Sequence, residues 1–176
     1  NKTQIFPLPE HIFVHNRLTH SLEVASVGRS LGNLLAEKVA HKFPENIFLP
    51  EIGTIVSAAC LAHDLGNPPF GHSGEAAISN FFLNGAGKEF KNKLSEKEWA
   101  DFTRFDGNAN AFRILTHQFN GKRPGGFALT YPTLASIVKY PYESVLATGQ
   151  KFGFFQSEKE AYKRIAGELQ IPGEHG

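Results

Sequence analysis

The tightest constraint on this chain is an apolar helical repeat that runs into ionisable residues and is then cut off. After Pro50, a residue suited to the first turn of a helix, Ile52, Ile55, Val56 and Ala59 recur at intervals of three and four. That spacing gathers them on one helical face, and His63 continues the register. Gly66 is expected to end the helix, and Pro68-Pro69 keep it from resuming. Upstream, residues 17–42 carry a second repeat through Val24, Val27, Leu31, Leu34 and Leu35. His20 precedes Val24 by four residues and is expected on the same inward stripe. Two antiparallel helices would thus bring His20 across the core toward His63 and Asp64.

The rest of the chain reads as helices joined by turns. The turn "GNPPFGHSG" leads into a helix through Glu75, Ala76, Ile78, Phe81 and Phe82. Ser95 with Glu98 and Ser157 with Glu160 have the spacing of capping boxes, each opening a helix. "GNANAFRILTH" is helical with Phe112 and Leu115 as its apolar face, and Thr133 to Lys139 resumes the pattern before Pro141. "NGKRPGGFALTY" is a loop with a short extended piece at Phe127–Tyr131. No β pattern of useful length competes, so the expected fold class is all-α, in one domain over residues 1–176.

Composition narrows the class of function. No apolar run approaches the roughly 18 residues that span a bilayer, so no membrane partner is expected. The one cysteine, Cys60, rules out an internal disulfide or a cysteine-rich zinc site and reads as a core residue. Nothing calls for secretion, and a cytoplasmic setting is expected. A net charge of +1 does not announce nucleic acid. The chain starts at Asn1 and has no methionine, which reads as a piece of a longer helical protein.

His20, His63 and Asp64 are imidazole and carboxylate donors suited to manganese, magnesium, zinc or iron. A histidine on an apolar stripe is ordinarily a hydrogen-bonded core residue. Here an ionisable pair ends an apolar helix, where a buried charge needs a partner that a shared cation would supply. His72 and Glu75, three apart at a helix start, share a face, and a carboxylate behind a histidine sets its tautomer for acid–base work. The plainer alternative for that stretch is a Ser73 cap with Glu75 complementing the helix dipole.

The blocks "RLTHSLEVASVGRSLG", "AACLAHDLGNPPFGHSGE", "GNANAFRILTH", "LTYPTLASIVKYPYES" and "FGFFQSEKE" resemble the deoxyguanosinetriphosphate triphosphohydrolase family of the HD superfamily. The likeness runs from "KTQIFPLPE" almost to the end of the chain. It implies an HD-type helical bundle, the N-terminal part of a larger protein, that hydrolyses a deoxynucleoside triphosphate to the deoxynucleoside and inorganic triphosphate. It further implies that His20, His63 and Asp64 ligate a divalent metal and that His72 and Glu75 handle the protons. Gln4 would sit near the sugar 3′-hydroxyl, and Asn108, Lys139, Tyr140 and Lys159 would contact the triphosphate. A homo-oligomer, such as a hexamer, with a deoxynucleotide or single-stranded DNA effector is also implied.

One departure accompanies the likeness. The family needs a fourth ligand, an aspartate on a later helix, and none follows "FGFFQSEKE", where only Glu168 and Glu174 remain after Glu160. The ligand is expected beyond Gly176. Two alternatives stay open: an HD site acting on another nucleotide, and a catalytically weak module that senses nucleotide or single-stranded DNA.

Overall fold

The protein is described by a computed structural model over residues 16–121 and 124–172. It divides at the His63–Asp64 peptide bond into two compact units, residues 1–63 and 64–176. Among the described residues every regular element is helical, in agreement with the all-α expectation. None of these helices is long and apolar enough to cross a membrane.

The first unit pairs α1 (Arg17–Val39) with α2 (Ile52–Ala62). Asn16 starts α1 by accepting the Thr19 N–H at 2.9 Å, while the Thr19 hydroxyl accepts the Asn16 N–H at 2.9 Å. The face of α1 that is buried differs from the one expected. Val27, Leu31, Leu34 and Leu35 are each more than half exposed, and the buried stripe is Ser21, Ala25, Gly28, Gly32 and Ala36. The reason is steric, because α2 approaches the backbone of α1 too closely for larger side chains. A Cβ placed on Gly32 would lie 2.7 Å from the Cα of Gly53, and one on Gly28 would lie 2.6 Å from the sulfur of Cys60. The α2 helix also stops sooner than Gly66, at Ala62, so His63 is its cap and not an interior residue.

The second unit contains α3 (His72–Asn84), α4 (Glu96–Thr103), α5 (Gly107–Thr116), α6 (Tyr131–Ile137) and α7 (Lys159–Glu168). Ser95 and Glu98 form the expected capping box on α4. At α7 the expected box is absent. Glu158 occupies the cap position at the end of a 3-10 turn, and Ser157 instead binds Glu158 and Arg113. Tertiary partners there outcompete the local capping pattern. The 127–131 stretch forms no strand. Phe112 and Leu115 of α5 are buried as expected, with Tyr162 packed edge-on to Phe112 and stacked on Phe154 at 4.4 Å. Phe82 of α3 packs on Trp99 and Phe102 of α4.

Buried polar groups stitch the loops to this core. Asp101 accepts the Ser144 hydroxyl at 2.6 Å and the Gln156 N–H at 2.7 Å. Burial pushes the Asp101 carboxyl up to about 6, with those two hydrogen bonds holding it back and Glu158 and Glu143 adding repulsion. A carboxyl whose folded pKa lies above its ordinary 3.8 favours the folded state while protonated. That contribution is complete below about pH 4 and lost as the pH rises toward 6. Asp101→Asn removes it, so the melting temperature of the variant relative to the parent should rise between pH 4 and pH 7 in thermal denaturation. In the first unit, Gly32→Val drives a branched side chain into the Gly53 backbone, and chemical denaturation should show a loss of about 2 kcal/mol or more.

Candidate active site

The end of α2 determines how His63 is presented. With its hydrogen on Nδ1, the ring donates to the Cys60 carbonyl at 2.7 Å, which makes Nε2 the acceptor nitrogen. His20 lies in the first turn of α1, its N–H held by the Asn16 carbonyl at 3.0 Å, and its ring meets that of His63 edge-on at 5.2 Å. Asp64, the next residue along the chain, is buried, and its Oδ1 accepts the Asn67 side-chain amide at 2.7 Å. One donor atom from each of His20, His63 and Asp64 lies within 4.8 Å of the others. Two neutral imidazoles and a carboxylate are the donor set of a borderline divalent cation, so these residues could hold such a metal.

The turn after Asp64 sets up the second group. Its backbone closes through Asn67 N–H to the Asp64 carbonyl at 3.2 Å and Gly71 N–H to the Pro68 carbonyl at 3.1 Å. Phe70 adopts a φ of 67° and Gly71 one of 58°. A left-handed aromatic residue is strained, and such strain persists only where surrounding structure compels it. The outcome is that α3 begins at His72, so that His72 and Glu75 share its first turn.

Glu75 Oε2 accepts the His72 Nδ1 hydrogen at 2.8 Å, and Oε1 accepts the Gly107 N–H at 2.8 Å. The Lys151 ammonium reaches Oε2 at 3.5 Å. Burial alone would raise the Glu75 carboxyl, but the hydrogen bonds from His72 and Gly107 and the Lys151 charge outweigh it and hold the group below its ordinary value. An ionised carboxylate only accepts, which places the hydrogen of His72 on Nδ1 and its acceptor lone pair on Nε2. The His72 side chain is 88% exposed while that of Glu75 is 10% exposed. The pair is therefore a fixed carboxylate behind an outward-facing imidazole.

The residues expected to contact phosphate are placed unevenly. Asn108 follows Gly107, but its side-chain amide and N–H both donate to Asp106 Oδ1, at 2.8 and 2.9 Å. Lys139 is exposed, its ammonium 5.4 Å from the Tyr140 ring centre. Lys159 is mostly buried and paired with Glu143 at 2.5 Å. Gln4 lies outside the described residues. Sequence reasoning missed Gly107, Asn67 and Lys151 as neighbours of these groups, and Asp106 as the N-cap of α5. Asp106, just before "GNANAFRILTH", carried the cap signal, whereas nothing local marked Lys151.

Gly107 has no room for a side chain, since a Cβ would overlap the Asn67 side-chain oxygen and lie 2.9 Å from Glu75 Oε1. These two nearest obstacles are the ends of flexible side chains, and the Asn67 Cα at 3.1 Å has to give by only a few tenths of an ångström. Gly107→Ala should therefore keep the fold, by circular dichroism, yet lower turnover by about tenfold or more through displacement of Glu75.

Comparison with known proteins identifies the family of the chain. Residues 17–140 match the HD domain family. A deoxyguanosinetriphosphate triphosphohydrolase-like protein of Pseudomonas aeruginosa is 47% identical over 97% of this chain and 40% of its own length. One from Synechocystis is 44% identical over 98% of this chain and 42% of its own length. A deoxyguanosinetriphosphate triphosphohydrolase of Yersinia enterocolitica is 32% identical over 97% and 40%. The chain thus spans about 40% of the length of the curated relatives it matches. It belongs to the HD-domain family, within the group whose curated members are called deoxyguanosinetriphosphate triphosphohydrolase-like proteins.

Proposed function

We propose that the protein hydrolyses deoxynucleoside triphosphates, of which dGTP is one, to the deoxynucleoside and inorganic triphosphate. The observation that carries this reading is the His72–Glu75 pair, a buried ionised carboxylate behind an exposed imidazole, in an HD-family chain that also holds the His20, His63 and Asp64 donor set. His20, His63 and Asp64 hold a divalent metal, manganese or magnesium, which when bound neutralises phosphate charge and polarises the phosphorus. Water attacks the α-phosphorus and the bond to the sugar O5′ breaks. A proton must leave the water and one must arrive on O5′. His72 Nε2 handles that transfer, with Glu75 fixing the ring and stabilising its charged form.

Lys139 supplies positive charge and Tyr140 a hydroxyl donor for the triphosphate, and Asn108 donates there the second hydrogen of its side-chain amide, the first being held by Asp106. Lys159 contributes to the same phosphate binding only by giving up its Glu143 pairing, so it is the weakest member of the set.

The test is product analysis on the full-length protein. Phosphorus NMR should show one inorganic triphosphate formed per deoxynucleoside triphosphate consumed, abolished by chelation and restored by manganese or magnesium. His72→Ala, with fold unchanged by circular dichroism, should lose about a hundredfold or more in kcat. Release of orthophosphate as the first product would refute the reaction. Undiminished turnover in the variant would refute the role of His72, and no turnover of any deoxynucleotide would favour a sensing module.

A further inference from the structure

We propose that Lys151 is a positioning residue for the His72–Glu75 pair, acting through the carboxylate and not on substrate. The proposal rests on the reading of that pair given above. Its ammonium stands between two buried acids, 3.5 Å from Glu75 Oε2 and 3.3 Å from Asp106 Oδ1. Glu75 Oε2 is the same oxygen that receives the His72 hydrogen. The groups facing the Glu75 carboxylate are thus His72 Nδ1 from its own helix, the Gly107 N–H from the start of α5, and Lys151 from the loop before Phe152.

A purely structural lysine would need only one buried acid, and Asp106 would suffice. Asp106 has no exposure, and besides Lys151 its oxygens accept Asn108 N–H, the Asn108 amide and the Phe152 N–H at 3.1 Å. One carboxylate thereby grips both the Lys151 head and the peptide just after it, which leaves the ammonium little freedom to leave Glu75. Fully buried Phe152 anchors the same loop in the core with Ala109 and Ala147. Charge and position at the Glu75 carboxylate are thereby fixed together, as general acid–base groups require.

The experiment compares the full-length parent with Lys151→Met and Lys151→Arg. The midpoint of the Glu75 side-chain carboxyl is read by carbon-13 NMR in metal-free protein, assigned with Glu75→Gln. The expected result for Lys151→Met is a midpoint raised by about half a pH unit or more. The acid limb of kcat against pH should move the same way, kcat at neutral pH should fall about tenfold, and KM should change little. Lys151→Arg, which keeps the charge, should restore the midpoint. Because Lys151→Met leaves Asp106 buried without its cation, Lys151→Met/Asp106→Asn is measured beside it and should show the same Glu75 shift. An unmoved Glu75 midpoint in a folded Lys151→Met or double variant overturns the proposal, as does a loss of kcat with an unmoved acid limb. Should the parent release no triphosphate while the Glu75 midpoint still moves, the proposed reaction fails and the placement of Lys151 stands.

Discussion

Asp106 is the interaction on which most of the second unit depends. A carboxylate with no exposure must have its lone pairs met from within the protein. Here one oxygen caps α5 through Asn108 and takes the Lys151 ammonium, while the other takes the Phe152 N–H. These bonds place the first residue of α5, Gly107, where its N–H meets Glu75, and seat Phe152 in the core. The geometry behind His72 is thus inherited from a cap 30 and more residues along the chain, not from α3 alone.

What could be read in the sequence followed from rules that act over a few residues. Ser95 and the run through Phe112 and Leu115 obey local capping and helical periodicity, and they appear where those rules put them. His72 and Glu75 meet because three residues along a helix is a contact distance. What could not be read came from partners distant in sequence. Ser157 and Glu160 have capping spacing, but Arg113, from α5, claims the Ser157 hydroxyl. Lys159, expected at the triphosphate, is paired with Glu143, a residue beyond the reach of any local pattern.

The error on α1 has a different cause. Hydrophobic periodicity ranks leucine above glycine, so it assigns the inner face to the leucines. Burial between two helices is decided by how closely their backbones come together. At Gly28, Gly32 and Gly53 the approach leaves no space for a side chain, and a small-residue stripe wins. The signal was present as Ser21, Ala25, Gly28, Gly32 and Ala36, spaced by three and four, but an apolar scale does not weigh it. His20 survives the rotation because it adjoins Ser21 at the edge of that stripe.

The same close approach bears on the histidines. A ring held between loosely packed leucines samples several rotamers, whereas a donor atom must keep its place to within about half an ångström to serve a metal. Gly28 against Cys60 locks the two helices at the turn whose carbonyl fixes the His63 ring. His20 stands two turns before Gly28, in the capped first turn of α1, so both imidazoles issue from backbone restrained at both ends. The glycines that periodicity overlooks are therefore what bring together two side chains, 43 residues apart, that could hold one metal ion.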